Sequence, residues 1–300
     1  MSEFSHGFWD LYVALLTLLS IVACALFLKS QSVRKPGSVE TTGHQWDGDL
    51  AEYNNPLPQW WSWLFYVTIV FSIAYLVLYP GLGSWRGTLG WSQVTQLKEE
   101  QAAAEKQFGP LYRRFAATDV ETLAKDPEAL AVGQKLFLNN CAQCHASDGA
   151  GSRGFPNLTD RDWLWGGDAN TIRTTISEGR TGVMPPFGPA LGPEGVKNVA
   201  HYVRSLSGLT TDPLRVAFGR ELYQQNCVAC HGADGKGNAA LGAPNLADKT
   251  WLYGSAEATV IETVTGGRTN QMPAHKALLD EARIHLLTAY VLGLSQGTAK

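Results

Sequence analysis

Two long apolar runs dominate the first eighty residues, whereas the rest of the chain alternates short apolar and polar stretches. Leu11 to Leu28 contains 18 residues without a charge, and Trp60 to Tyr79 contains 20. Each run is long enough to cross a bilayer as a helix. Tryptophan and tyrosine lie near the run ends, as is typical of membrane interfaces. The pattern therefore predicts two transmembrane helices, within residues 1–30 and 60–80.

The charges around the first run indicate its topology. Acidic residues precede the run, whereas Lys29, Arg34 and Lys35 follow it. A signal peptide has its basic stretch before the apolar region, and basic residues concentrate on the cytoplasmic side of a membrane. We therefore expect an uncleaved anchor, a cytoplasmic loop over 31–59, and both termini on the extracytoplasmic side. Cys24 is expected to pack in the helix, with lipid modification as the alternative.

The polar remainder predicts further helices. Residues 81–127 form an extracytoplasmic linker with a helix over 93–108, because this stretch is rich in helix-forming residues and Gly109-Pro110 is expected to end it. Six later stretches predict helices, at 130–140, 169–178, 195–206, 215–226, 256–265 and 280–294. The predicted fold class is all-α.

An internal repeat relates residues 128–208 to residues 209–300. A Cys-x-x-Cys-His pentad begins at Cys141 and again at Cys227, 86 residues later. Later matches lie 88 residues apart, namely Pro156-Asn157-Leu158 with Pro244-Asn245-Leu246, Trp163 with Trp251, Gly179-Arg180-Thr181 with Gly267-Arg268-Thr269, and Met184-Pro185 with Met272-Pro273. A repeat of this detail predicts two copies of one structural unit.

The pentads predict covalent attachment of two c-type haems. Two thiols on one helical turn each form a thioether to a haem vinyl group, and the following histidine is the proximal iron ligand. The residues concerned are Cys141, Cys144 and His145 in the first copy and Cys227, Cys230 and His231 in the second. Zinc and dithiol sites are the alternatives for a single Cys-x-x-Cys, but the paired histidines and downstream methionines favour haem.

Met184 and Met272 are the predicted sixth ligands, since each follows its pentad at a matched position and precedes a proline. Methionine opposite histidine is the ligation typical of cytochromes c. His275, three residues after Met272, is the competing ligand, and Phe187 has its place in the first copy. Ligation of each iron by the methionine of its own copy is the simpler expectation, but exchange between the copies stays open.

Four further residues are repeated, and each has two interpretations. Arg180 and Arg268 are candidates to pair with haem propionates, with an ordinary solvated loop position as the alternative. Trp163 and Trp251 are candidates to donate an indole N–H to a propionate or simply to pack as core aromatics.

The charge of the chain excludes one class of partner. The formal net charge is −3, and each repeat is close to charge balance. No basic surface for nucleic acid is therefore expected.

The repeats resemble class I cytochrome c domains, which have an entering helix, the pentad, a Met-Pro loop and a closing helix with an aromatic, here Tyr202 and Tyr290. Thr42 to Leu50 and Asn54 to Trp61 resemble the cytoplasmic loop of the di-haem subunit, called CcoP or FixP, of cbb3-type cytochrome c oxidases. The resemblance implies two transmembrane helices followed by two tandem class I cytochrome c domains.

The resemblance also implies a function in respiration. Soluble or membrane-bound cytochromes c would donate electrons, which pass through the two haems to a mono-haem subunit and a haem-copper catalytic subunit that reduces oxygen and pumps protons. The chain has no catalytic residues of its own, so it would be an enzyme only as part of the oxidase. It would be a multi-pass protein of the bacterial inner membrane, in contact with lipid, with periplasmic haem domains. The alternatives are a di-haem carrier for another complex or dehydrogenase, and a ligand-sensing or peroxidase centre.

Overall fold

The computed structural model describes residues 7–33 and 39–299. It contains two compact units, Met1–Lys106 and Gln107–Lys300. Helices make up most of both, which confirms the predicted class, and two small two-stranded sheets are added to them. Arg34 and Lys35, which contribute to the predicted topology, lie outside the described residues.

The first unit contains two long apolar helices, α1 (Gly7–Ser32) and α2 (Gln59–Leu78). They coincide with the two predicted spans, and both are long and apolar enough to cross a membrane. The hydroxyls of Ser32 and Ser62 are hydrogen-bonded at 3.0 Å and join the two helices. Most other side chains of both helices are exposed, so lipid is the environment that suits their apolar surface.

A β-hairpin that the sequence analysis missed lies in the loop between these helices. Strands β1 (Thr41–Trp46) and β2 (Leu50–Tyr53) are antiparallel. The turn passes through Asp47 and Gly48, both with positive φ, at 50° and 87°. Asp-Gly at such a turn is a strong hairpin signal in a sequence. Every residue of both strands is exposed.

Helix α3 (Gln93–Ala116) corrects the prediction that Gly109-Pro110 ends the linker helix. A proline inside a helix removes a hydrogen bond and costs about 3 kcal/mol. The helix nevertheless continues, because its last turns pack on the core of the second unit. Phe115 is only 1% exposed there.

The second unit contains the two sequence repeats. Its remaining elements are α4 (Val120–Leu123), α5 (Pro127–Asn140), α6 (Ala142–His145), α7 (Ala169–Glu178), β3 (Arg180–Met184), α8 (Gly188–Leu206), α9 (Pro213–Asn226), α10 (Val228–His231), α11 (Glu257–Gly266), β4 (Arg268–Met272) and α12 (Glu281–Gln296). The side chains of Asp126 and Asp212 cap the entering helices α5 and α9, and each is followed by a proline at the first helical position.

The buried side chains form two cores, and each core takes elements from both repeats. The first core contains buried residues of α5, α7 and α12. The second contains buried residues of α8, α9 and α11. The closing helix of each repeat therefore packs on the entering helix of the other, so the packing crosses the boundary between residues 128–208 and 209–300.

Aromatic and glycine contacts define these exchanged helix pairs. The rings of Phe137 in α5 and Tyr290 in α12 lie 5.4 Å apart, and those of Tyr202 in α8 and Tyr223 in α9 lie 5.1 Å apart. Glycine allows the close approach, because a Cβ on Gly133 would lie 2.7 Å from the Cβ of Tyr290.

The exchange begins at an antiparallel ladder between β3 and β4. Arg180 is opposite Met272, and Met184 is opposite Arg268. Gly179, which precedes β3, has φ of +72° and leaves no room for a side chain beside the backbone oxygen of Met272. Gly267, which precedes β4, has the matching conformation beside the oxygen of Met184. The two strands thus cross in close contact and direct each closing helix to the other core.

Candidate functional site

Both Cys-x-x-Cys-His pentads fold as a single helical turn at the end of an entering helix. Cys141 ends α5, its amide donates to the carbonyl of Phe137 at 2.8 Å, and its own carbonyl accepts from the amide of His145 at 3.0 Å. Cys227 and His231 repeat this arrangement at the end of α9. In each pair the first cysteine is buried or partly buried and the second, Cys144 or Cys230, is exposed. Each turn therefore presents one thiol toward the core and one at the surface.

The two histidines are oriented by carbonyl groups that the sequence analysis did not identify. The Nδ1–H of His145 donates to the carbonyl of Pro156 at 3.0 Å, and that of His231 donates to the carbonyl of Pro244 at 3.1 Å. This bond leaves Nε2 as the free ligand atom of a neutral imidazole. Burial lowers the pKa of both histidines. Both rings are therefore suited to bind a metal. The repeated Pro-Asn-Leu motif is the sequence signal that could have pointed to the two proline carbonyls.

The cysteines fit thioether attachment better than a zinc site. Burial raises the pKa of the Cys141 and Cys227 thiols to about 11 each, so both are neutral thiols when nothing is bound. A structural zinc site also requires four ligands. Among residues 7–33 and 39–299, no group of three or more His, Cys, Asp or Glu side chains is arranged to hold a metal ion.

Each methionine packs in the core that carries the other repeat's pentad. Met272 packs on the first core, as do Cys141 and Trp163. Met184 packs on the second core, which contains Cys227. The expectation that each methionine stays with its own pentad therefore does not match the packing.

The two arginines contact residues of their own repeat. The Arg180 guanidinium donates to the hydroxyl of Thr175 at 3.0 Å and stacks over Trp165. Arg268 donates to Thr263 in the matching way and stacks over Tyr253. It also forms an ion pair with Glu262 at 2.9 Å, whose pKa it lowers. Pairing with propionates stays a prediction for both arginines.

The two tryptophans line a shared cavity of about 620 Å³. Trp163 packs on the first core and Trp251 on the second. Pro156, Pro244 and several charged side chains also line the cavity. The loops with Pro156 and Pro244 therefore face one cleft. The hydrogen-bonding role of the indoles stays a prediction.

These sites define the chain as a di-haem c-type cytochrome with a membrane anchor. Each site has two thiols on one turn, a neutral imidazole oriented by a carbonyl, and a thioether in the same core. This donor set fits one covalently attached haem c with histidine and methionine as axial ligands.

Comparisons with known proteins identify the family. The model of the "N-terminal domain of cytochrome oxidase-cbb3, FixP" matches residues 38–86, and that of "Cytochrome C oxidase, cbb3-type, subunit III" matches residues 128–203 and 215–291. The CcoP subunit of Rubrivivax gelatinosus is 50% identical over 99% of this chain and 98% of its own length. The FixP subunit of Bradyrhizobium sp. (strain ORS 278) is 44% identical over 86% of this chain and 95% of its own length.

The CcoP subunit of Cereibacter sphaeroides is also similar, at 42% identity over 88% of this chain and 97% of its own length. The chain belongs to the CcoP/FixP family of cbb3-type cytochrome c oxidase subunits. Two c-type haems are its cofactors, and its N-terminal helices anchor it in the membrane.

Proposed function

We propose that this chain is the electron-input subunit of a cbb3-type cytochrome c oxidase. It accepts electrons from soluble or membrane-bound cytochromes c and passes them toward the mono-haem and oxygen-reducing subunits. The supporting observation is that two sets of candidate haem c ligands lie in one compact unit, and that the loops with Pro156 and Pro244, which orient the two histidines, line one cleft. The closely related proteins are named as subunits of this oxidase.

The ligand sets are His145 with Met272 and His231 with Met184. The crossing of β3 and β4 supports this exchanged pairing, because it brings each methionine to the core of the other repeat's pentad. The haem supplies an iron that accepts and releases one electron. The protein holds it by two thioethers and by a histidine that its proline carbonyl keeps in one tautomer.

A spectral label tests the exchange. Cys144→Ala leaves one thioether at the first haem, and the unreacted vinyl group shifts its absorption to longer wavelength. In this background we expect Met272→Ala to change the shifted spectrum and Met184→Ala to leave it unchanged. The matched background is Cys230→Ala, in which the two methionine variants should exchange their effects. A shifted spectrum that responds to Met184→Ala would contradict exchanged ligation.

We further propose that the haem domains and both termini are periplasmic in a bacterial inner membrane. Lys29, Arg34 and Lys35 follow the first span, and basic residues favour the cytoplasmic side. Residues 31–59 are then cytoplasmic, and everything after the second span is periplasmic. We expect protease added to intact spheroplasts to cleave the haem domains but not the β1–β2 hairpin.

The β1–β2 hairpin is proposed as the surface that binds the haem-copper catalytic subunit. An isolated two-stranded hairpin is marginally stable in water, so a partner is expected to hold it. Trp46, Leu50 and Tyr53 are each more than 60% exposed on its strands. We expect deletion of residues 43–58 to abolish copurification of the haem-copper subunit with an affinity-tagged chain.

The control separates loss of the surface from loss of the fold. Serine at Trp46, Leu50 and Tyr53 should also abolish copurification, whereas serine at the equally exposed Leu214 and Phe218 should not. Both variants should retain two haems per chain by pyridine haemochrome. Copurification that survives the triple hairpin variant would rule out this surface, and a tagged wild-type chain that never brings down a haem-copper subunit would contradict the function itself.

A further inference from the structure

His275 is a second imidazole at the first haem site. Its backbone amide donates to the carbonyl of Ile176 at 3.0 Å, and Ile176 belongs to the first core. The crossing of β4 thus carries His275 from the second repeat to the first core.

One ring nitrogen of His275 is enclosed and lacks a hydrogen-bond partner in the described part of the chain. Its Nδ1 has no hydrogen-bond partner among the residues that the structure describes, although it is buried. Buried polar atoms are almost always hydrogen-bonded, so an unpaired one needs an explanation, such as a redox role or a bound ion or water. Met272, the proposed ligand of the first haem, lies only three residues before His275.

Among the candidate ligand positions, the second haem site differs from the first only where the first has His275. Phe187 follows Met184 by three residues, and its amide donates to the carbonyl of Val264 at 3.0 Å, as the amide of His275 does to Ile176. Phe187 packs against the second core. The two sites therefore have the same backbone arrangement, with an imidazole in one and a phenyl ring in the other.

We propose that His275 is a reserve axial ligand of the first haem, which binds the iron whenever Met272 is displaced. One iron–sulfur bond breaks and one iron–nitrogen bond forms, and no electron or further reactant is needed. The first haem then stays six-coordinate and closed to small ligands such as carbon monoxide, whereas the second haem has no such protection. The proposal rests on the proposed ligation of the first haem by His145 and Met272.

Truncation of each methionine in the full-length, detergent-solubilised chain tests the proposal. Met184→Ala should give a five-coordinate, high-spin second haem that binds about one carbon monoxide per chain, because an open position is what such a ligand needs. Met272→Ala should keep both haems low-spin and bind almost none. Its first haem should show the near-infrared magnetic circular dichroism of an iron with two imidazole ligands.

The combined variant gives the control. Met272→Ala with His275→Phe, which copies the second site, should become high-spin and bind carbon monoxide as Met184→Ala does. Equal carbon monoxide binding by Met272→Ala and Met184→Ala would overturn the reserve ligand, and so would a combined variant that stays low-spin. Pyridine haemochrome on every sample separates these results from a failure of the function, because a wild-type chain without two covalent haems would contradict the proposed function as well.

Discussion

Single glycines decide whether the exchanged helices can meet. A Cβ on Gly219 of α9 would lie 2.0 Å from the backbone oxygen of Asn198 in α8. Backbone at that distance cannot move aside without separating the helices. Gly266, at the end of α11, has nothing within 4 Å of such a Cβ and no positive φ. The two glycines therefore form a natural pair for comparison.

We predict that Gly219→Ala destabilises the second unit by about 1–3 kcal/mol or more, the usual range for overpacking. Gly266→Ala should be neutral or slightly stabilising, because alanine is the better helix former. Guanidinium denaturation followed by far-ultraviolet circular dichroism measures both variants. Equal midpoints for the two would contradict the close approach of α8 and α9.

Two acidic side chains in the shared cleft predict a dependence of stability on pH. Burial, with repulsion from Asp162 as a smaller cause, raises the pKa of Asp160 and of its repeat partner Asp248. Because the folded pKa is raised, the stability associated with these groups is complete at low pH and is lost as pH rises through the folded pKa. Arg153, Arg161 and Lys236 line the same cleft.

We therefore predict that Asp160→Asn with Asp248→Asn raises the melting temperature relative to wild type, by an amount that grows from pH 4 to about pH 6. The control is Asp234→Asn. The Lys236 hydrogen bond lowers the pKa of Asp234. This variant should therefore have a lower melting temperature than wild type between pH 4 and about pH 6. A melting-temperature difference between the double variant and wild type that stays the same across this pH range would contradict the raised pKa values of Asp160 and Asp248.

Sequence predicted the chemistry of most site residues but not their surroundings. The pentads and the repeated methionines identified the cysteines, the histidines and the candidate ligands. The carbonyls of Pro156 and Pro244 were missed, because any residue has a carbonyl and a sequence does not show where it points. The place of His275 was also out of reach, since it depends on which core receives β4.

At the scale of helices and strands, local signals worked where capping and periodicity agree. Helix α7 begins and ends as predicted, with Asp168 as its N-cap and Gly179 as its C-cap. Helix α8 begins before the predicted Gly195, because a kinked turn around Gly192 precedes it. The hairpin turn at Asp47-Gly48 carried a recognisable signal, whereas α3 passes Pro110 because long-range packing outweighs local propensity.

The exchange of closing helices is the feature that local signals do not determine. Both repeats carry the same pattern of glycine, aromatic and methionine residues, so own and exchanged pairings bury similar surfaces. The choice depends on the crossing of β3 and β4 and on the path from each strand to its helix. Neither property is visible in the spacing of motifs.

Tyr290→Leu and Tyr202→Leu test the exchange element by element. Loss of an aromatic pair costs about 1 kcal/mol beyond its buried area. We expect Tyr290→Leu to speed amide exchange in α5, which belongs to the first repeat, and Tyr202→Leu to speed it in α9, which belongs to the second. Hydrogen–deuterium exchange with mass spectrometry resolves these peptides. Faster exchange confined to the repeat that carries each substitution would contradict the crossing.

At the scale of the molecule, the second unit is one interlocked body. The ladder of β3 and β4 and the ion pair of Arg173 with Glu281, at 2.7 Å, link elements of both repeats. Neither core is complete without residues of the other repeat. We predict that both haem sites lose their methionine ligation in a single denaturant transition, monitored separately with the Cys144→Ala and Cys230→Ala spectral labels. Two separate midpoints would contradict this coupling.

The crossing of β3 and β4 also constrains how the polypeptide is made. The first pentad leaves the ribosome long before α12, the last of the described helices and the one that covers the first core. A porphyrin attached at Cys141 and Cys144 before α12 is in place would therefore lack the cover that this helix gives to the first core. Thioether bonds retain it through that interval, when a porphyrin held by coordination alone would be free to leave.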